Sequence, residues 1–77
     1  MADREIAAKC LYADEYRVLE LCDKRFYPQY TNGRGWKHVM DGWNDEYFFS
    51  SILEAFEFLS VMHNGTAIYK WHRKEHG

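Results

Sequence analysis

The stretch Thr31-Asn32-Gly33-Arg34-Gly35 constrains this chain more than any other. Asn-Gly supplies positive φ at little steric cost, and between two aromatic, β-prone segments it reads as a hairpin turn. Its arms are Arg25-Phe26-Tyr27-Pro28-Gln29-Tyr30 and Trp36-Lys37-His38-Val39-Met40. Residues 25–30 are therefore expected as one strand and 36–40 as the next. Pro28 has no amide hydrogen to give a ladder, so its nitrogen must face outward, or the residue must sit at a bulge or an edge.

Upstream, YRVLELC over 16–22 sets Arg17, Leu19 and Leu21 against Tyr16, Val18, Glu20 and Cys22, a strand pattern. Asp23-Lys24 fits a tight turn, which completes a three-stranded antiparallel meander. Residues 3–12 place Ile6, Ala7, Cys10 and Leu11 on one stripe behind a possible Asp3 cap, so a short N-terminal helix is expected, a strand being the alternative. Downstream, Ser51-Ile52-Leu53-Glu54 reads as a capping box, and the helix should run to about His63 and stop at Asn64-Gly65. Ile52, Ala55, Phe56, Leu59 and Met62 share its inner face, whereas Leu53 and Val61 fall on the outer half, which a monomer does not require. Residues 66–73 alternate well enough for a last strand. The expected fold is α+β in the order αβββαβ: one domain over 1–77, with one helix laid across an antiparallel sheet.

A chain of 77 residues buries only about 60% of its unfolded surface. Five Phe, six Tyr and three Trp are how such a short chain fills a core, and the 47% hydrophobic content excludes disorder. No apolar run is long enough to span a membrane, and MADREIAAKC lacks the apolar stretch of a secretory leader, which points to the cytoplasm. Cys10 and Cys22 are then expected as reduced thiols. The net charge of −2 implies no partner, but its distribution is dipolar. Residues 23–40 and 66–77 are basic. Residues 41–65 carry only the acidic Asp41, Asp45, Glu46, Glu54 and Glu57. Such a pattern either orients an encounter with a charged partner or is satisfied within the fold.

The succession of FYPQ, a Gly-rich turn, GWK and the helix motif F-x-S-x-x-E-A-x-x-F resembles small uncharacterised phage and prophage proteins. The likeness covers residues 16–71, and its motifs are structural. In size and style it is similar to anti-CRISPR and other anti-defence proteins. The resemblance implies a phage-encoded modulator acting in a host cell, and it assigns no functional residue.

Catalytic and metal-binding signatures are lacking. His72 and His76 sit four apart, one on a strand and one in the tail, while Cys10, Cys22, His38 and His63 are isolated in sequence. There is no nucleophile elbow or phosphate-cradling loop, and Gly33 and Gly35 are explained by the hairpin. No enzyme, cofactor or metal is expected.

Binding remains. Tyr27, Tyr30, Trp36, Trp43, Tyr47, Phe48, Phe49 and Phe58 exceed what one side of a small sheet hides. Tyr, Trp and Arg anchor interfaces, and GWNDEYFF joins acidic groups to aromatic ones. The candidate surface for a host protein or protein complex is Trp43, Asp45, Glu46 and Tyr47 with Tyr27 and Tyr30. Phe26 and Trp36 are expected inward, Tyr27 and Tyr30 outside, the last escaping at the strand end. The competing possibility is a loop folded back so that Trp43 and Phe48 plug the open end of the sheet. A single-stranded nucleic-acid module using Arg25, Arg34, Lys37 and Trp71 is the alternative function, although dedicated binders carry a clear basic excess. Self-association as a homodimer would satisfy the same aromatic surplus.

Overall fold

The computed structural model describes residues 5–21 and 24–74. Cys22, Asp23, His76 and the Asp3 cap lie outside them, and so do the expectations attached to those residues. The sheet has four strands in the order β3-β2-β1-β4. They are β1 (Glu15–Glu20), β2 (Phe26–Thr31), β3 (Lys37–His38) and β4 (Trp71–Arg73), with one helix, α1 (Ile52–Met62), before β4. The α+β class and the meander β1-β2-β3 are as the sequence suggests.

The sheet is mixed rather than antiparallel. β1 pairs β2 antiparallel with Val18 opposite Pro28, but β4 runs parallel to β1 with Trp71 opposite Val18. A parallel neighbour requires a crossover, and α1 supplies it by carrying the chain back along the sheet. The expected N-terminal helix is reduced to a 3-10 turn, Ala8–Cys10. Long-range backbone contacts prevail over its propensity: Ala7 N–H donates to the Met40 carbonyl at 2.8 Å, and Ile6 bridges Asp41.

Pro28 occupies a central strand, and the way it is tolerated shapes the rest. The Val39 amide donates to the Pro28 carbonyl at 2.9 Å. The reciprocal bond of an antiparallel pair is impossible because proline has no N–H. The Val39 carbonyl instead accepts the Tyr47 amide at 3.1 Å. Hence β3 is two residues long. Past the proline, β2 pairs with Phe49, which exchanges bonds of 2.8 and 2.9 Å with Phe26. Residues 40–48 are the excursion between those partners, closed by a bridge between Met40 and Glu46.

The hairpin turn forms where expected, with the positive φ at Gly33 (95°) and Gly35 (84°) rather than at Asn32. Thr31 Oγ1 donates to the Gly35 carbonyl and accepts from the Gly33 amide, and the Asn32 side chain accepts the Asp14 amide. Ser51 takes the N-cap position of α1, and its carbonyl receives the Ala55 amide at 3.3 Å. The capping box itself is not made, since no side-chain cap bond forms there. The Phe26–Phe49 pairing two residues upstream fixes how the chain approaches the helix. At the other end Asn64 and Gly65 adopt positive φ, and the Gly65 amide reaches the Ser60 carbonyl, a glycine-type stop.

Between helix and sheet lie Tyr16, Val18, Tyr30, Val39, Ala55 and Leu59, with Cys10 and Tyr47 closing the sides. Phe26 packs inward against this core as expected. Among the described residues no helix is long and apolar enough to cross a membrane.

Candidate functional site

The excursion after β3 is a preorganised loop. Asp41 is 2% exposed, and its Oδ1 accepts two amides, from Trp43 at 2.8 Å and Asp45 at 3.0 Å. Its backbone closes the same turn, donating to the Asp45 carbonyl at 3.0 Å and accepting from Asn44 at 3.1 Å. Asn44 takes φ 64°, which asparagine tolerates better than most residues. The Gly42 amide donates to the Glu5 carbonyl, so the N-terminal segment braces the loop from behind. A carboxylate that accepts neighbouring amides is an Asx-type organiser. At the tip it holds Trp43 85% exposed. Trp43 is therefore a displayed ring, and the plugging alternative does not hold for it.

The other candidate residues distribute as follows. Asp45, Glu46 and Tyr27 line one depression of about 520 Å3, together with Arg25, Asn44 and Phe48. Arg25 lies over the Phe48 ring at 4.8 Å, and Phe48 meets Tyr27 at 5.9 Å. Tyr27 faces away from the helix as expected, yet it is only 8% exposed, because His38 (4.9 Å) and Phe48 cover it. Tyr30 does not escape at the strand end. It is 5% exposed inside the core, and burial, followed by the neighbouring Cys10 thiol, pushes its phenol above the ordinary value of 10.0. Tyr47 is likewise buried, against Phe58 at 4.8 Å. Strand alternation separates these groups: Tyr47 and Phe49 turn toward the helix, while Phe48 turns to the opposite face.

That opposite face carries a layer the sequence did not reveal. Arg17 Nε donates to Gln29 Oε1 at 2.7 Å, and its guanidinium stacks on Trp36 at 4.3 Å. Lys70 approaches the same ring at 5.1 Å and pairs with Glu15 at 3.1 Å. Burial pushes the Arg17 guanidinium below the usual arginine range. Trp36 was expected inward with the helix; it roofs the far face instead, because its register neighbour Lys37 pairs with Tyr30 on the helix side. The four nucleic-acid candidates are dispersed. Arg34 and Lys37 line a depression at the hairpin end, Arg25 lies at the other end of β2, and Trp71 is on the edge strand β4.

Asp41 and Arg17 are the residues that sequence reasoning passed over. D-G-W-N-D carries the Asx-turn signal that would have flagged Asp41, whereas Arg17 is legible only once the β1–β2 register places it beside Gln29. No protein-family model, no curated protein and no solved structure matches this chain.

Proposed function

We propose that the protein is a small non-enzymatic binding module that occupies a functional surface of a larger protein through residues 41–48. The observation that carries this reading is Trp43, held 85% exposed on a loop whose buried Asp41 fixes its shape. An indole left in water is unfavourable for a lone monomer, and on a rigid loop it loses little further entropy when a partner covers it. Asp45 and Glu46 follow the indole on the same loop and suit a basic rim around an apolar slot. On this reading a module of this size acts by steric block, with its carboxylates serving as stand-ins for the phosphates of a nucleic acid. With the resemblance to phage proteins, this reading makes it an inhibitor or modulator of a host protein, in the manner of anti-defence proteins.

The test is affinity capture from host lysate with and without nuclease, run beside the triple variant Trp43→Ala, Asp45→Asn, Glu46→Gln. A specific partner should survive nuclease and be lost with the variant, whose fold stays intact by circular dichroism. Equal recovery by the variant rejects the loop as the docking element. A partner lost with nuclease and with rising salt favours the single-strand alternative through Arg25, Arg34, Lys37 and Trp71.

A further inference from the structure

The two edges of the sheet are treated differently. Just past β3, at residues 40 and 41, the N-terminal segment covers the chain through the Ala7 to Met40 bond, the Ile6–Asp41 bridge and the Cys10 contact with the Met40 carbonyl. Nothing comparable covers β4 among the described residues, and all three of its residues are exposed. The Val18 amide donates to the Lys70 carbonyl, and the Lys74 amide to the Glu20 carbonyl. By the alternation of a parallel ladder, the N–H and C=O groups of Trp71 and Arg73 point away from β1. They form an open edge of the kind that receives an added strand.

The surroundings of that edge specify what it accepts. Trp71 opposes Val18 in register, so its ring, half exposed, lies on the helix side. On that side a cleft of about 210 Å3 runs between α1 and the approach to β4, lined by Leu53, Phe56, Ile68 and Tyr69 together with Glu57, so this face suits apolar side chains and not carboxylates. Phe56 and Tyr69 meet edge to face at 5.8 Å, while Leu53 (66%) and Tyr69 (77%) remain largely in water. Residues 66–74 contain Lys70, Arg73 and Lys74 and no acidic group. Pairing two copies of β4 would set these cations against one another, so charge disfavours a second copy of this chain and favours an acidic strand.

We propose that the open edge of β4 binds an extended acidic segment of a partner protein, added as a fifth strand. Its alternate apolar side chains enter the cleft beside Leu53 and Phe56. Its carboxylates lie on the opposite face of the sheet, where they meet Lys74 and Lys70. This surface is independent of the Trp43 loop.

A short synthetic peptide alternating valine with glutamate is the probe, and its valine–lysine counterpart is the control. Amide exchange followed by NMR should show the Trp71 and Arg73 amides slowed by the glutamate peptide and not by the lysine peptide. Arg73→Pro deletes an outward N–H while sparing the bonds to β1, and should weaken binding about tenfold or more with the circular dichroism spectrum unchanged. Should that variant unfold, Lys74→Glu should likewise weaken binding of the glutamate peptide in a folded protein. Trp43→Ala should leave this binding unaltered, which separates it from the docking loop. The proposal is overturned by unprotected Trp71 and Arg73 amides, by equal binding of both peptides, by full affinity in a folded edge variant, or by sedimentation showing that copies pair through β4.

Discussion

Replacing Asp41 by alanine removes the acceptor for two amides, those of Trp43 at 2.8 Å and Asp45 at 3.0 Å. Hydrogen bonds to a charged group contribute about 1.5–3 kcal/mol each. The amides lie on an exposed loop where water replaces part of the loss, so the lower end applies and the pair is worth about 3 kcal/mol. A domain of this length has a total stability of about 4–12 kcal/mol, and 1 kcal/mol shifts its melting point by about 4–8 °C. Asp41→Ala should therefore lower the midpoint by about 12 °C or more and speed exchange at the Trp43 and Asp45 amides. Asp41→Asn keeps an oxygen acceptor of similar shape and should lose about half as much. Urea unfolding of both variants, with amide exchange on the folded state, measures each quantity. A loss below about 1 kcal/mol, or equal losses in the two variants, would refute the view that this carboxylate holds the loop.

The remaining expectations concern other layers of the molecule. Leu59→Ala empties a site with no solvent exposure and should cost about 3–5 kcal/mol by urea unfolding, with the fold retained only if the remaining core suffices. Trp36→Ala removes the ring between Arg17 and Lys70, and should cost about 1–2 kcal/mol, part of which high salt mimics in the parent. Leu53→Lys and Val61→Lys sit on the outer face of α1, 66% and 79% exposed, and should change stability by less than about 0.5 kcal/mol in a monomer. A larger loss that depends on protein concentration would reveal a homodimer through that face. Tyr30 holds its proton more tightly folded than unfolded, so its contribution is complete below the unfolded value near 10.0 and is lost as pH rises through the higher folded value. Tyr30→Phe should accordingly flatten the alkaline limb of a stability profile and leave the acidic limb unchanged.

Local chemistry accounts for much of this fold. The glycines at 33 and 35 place the hairpin, the Asn64-Gly65 pair stops α1, and the period of Ile52, Ala55, Phe56, Leu59 and Met62 selects the helix face that meets the sheet. These are short-range properties, readable because φ preference and side-chain periodicity act over a few residues. The exposure of Leu53 and Val61 follows from the same period.

Long-range pairing decided the rest. The 3-10 turn replaced a helix because the bonds to Met40 and Asp41 outweigh the weak propensity of a short segment. β4 became parallel because α1 returns the chain to the end where β1 starts, and no residue near 71–73 encodes which strand it will meet. Tyr27, Tyr30 and Tyr47 are buried because both faces of β2 are covered, one by α1 and the other by side chains from β1, residue 36 and the excursion. The surplus of rings inferred from composition survives, but at Trp43, Phe48, Tyr12, Tyr69 and Trp71 rather than on the sheet tyrosines. Pro28 joins the two scales: its missing N–H is written in the sequence, yet only the register shows that this absence hands the Val39 carbonyl to Tyr47 and releases the loop that carries Trp43.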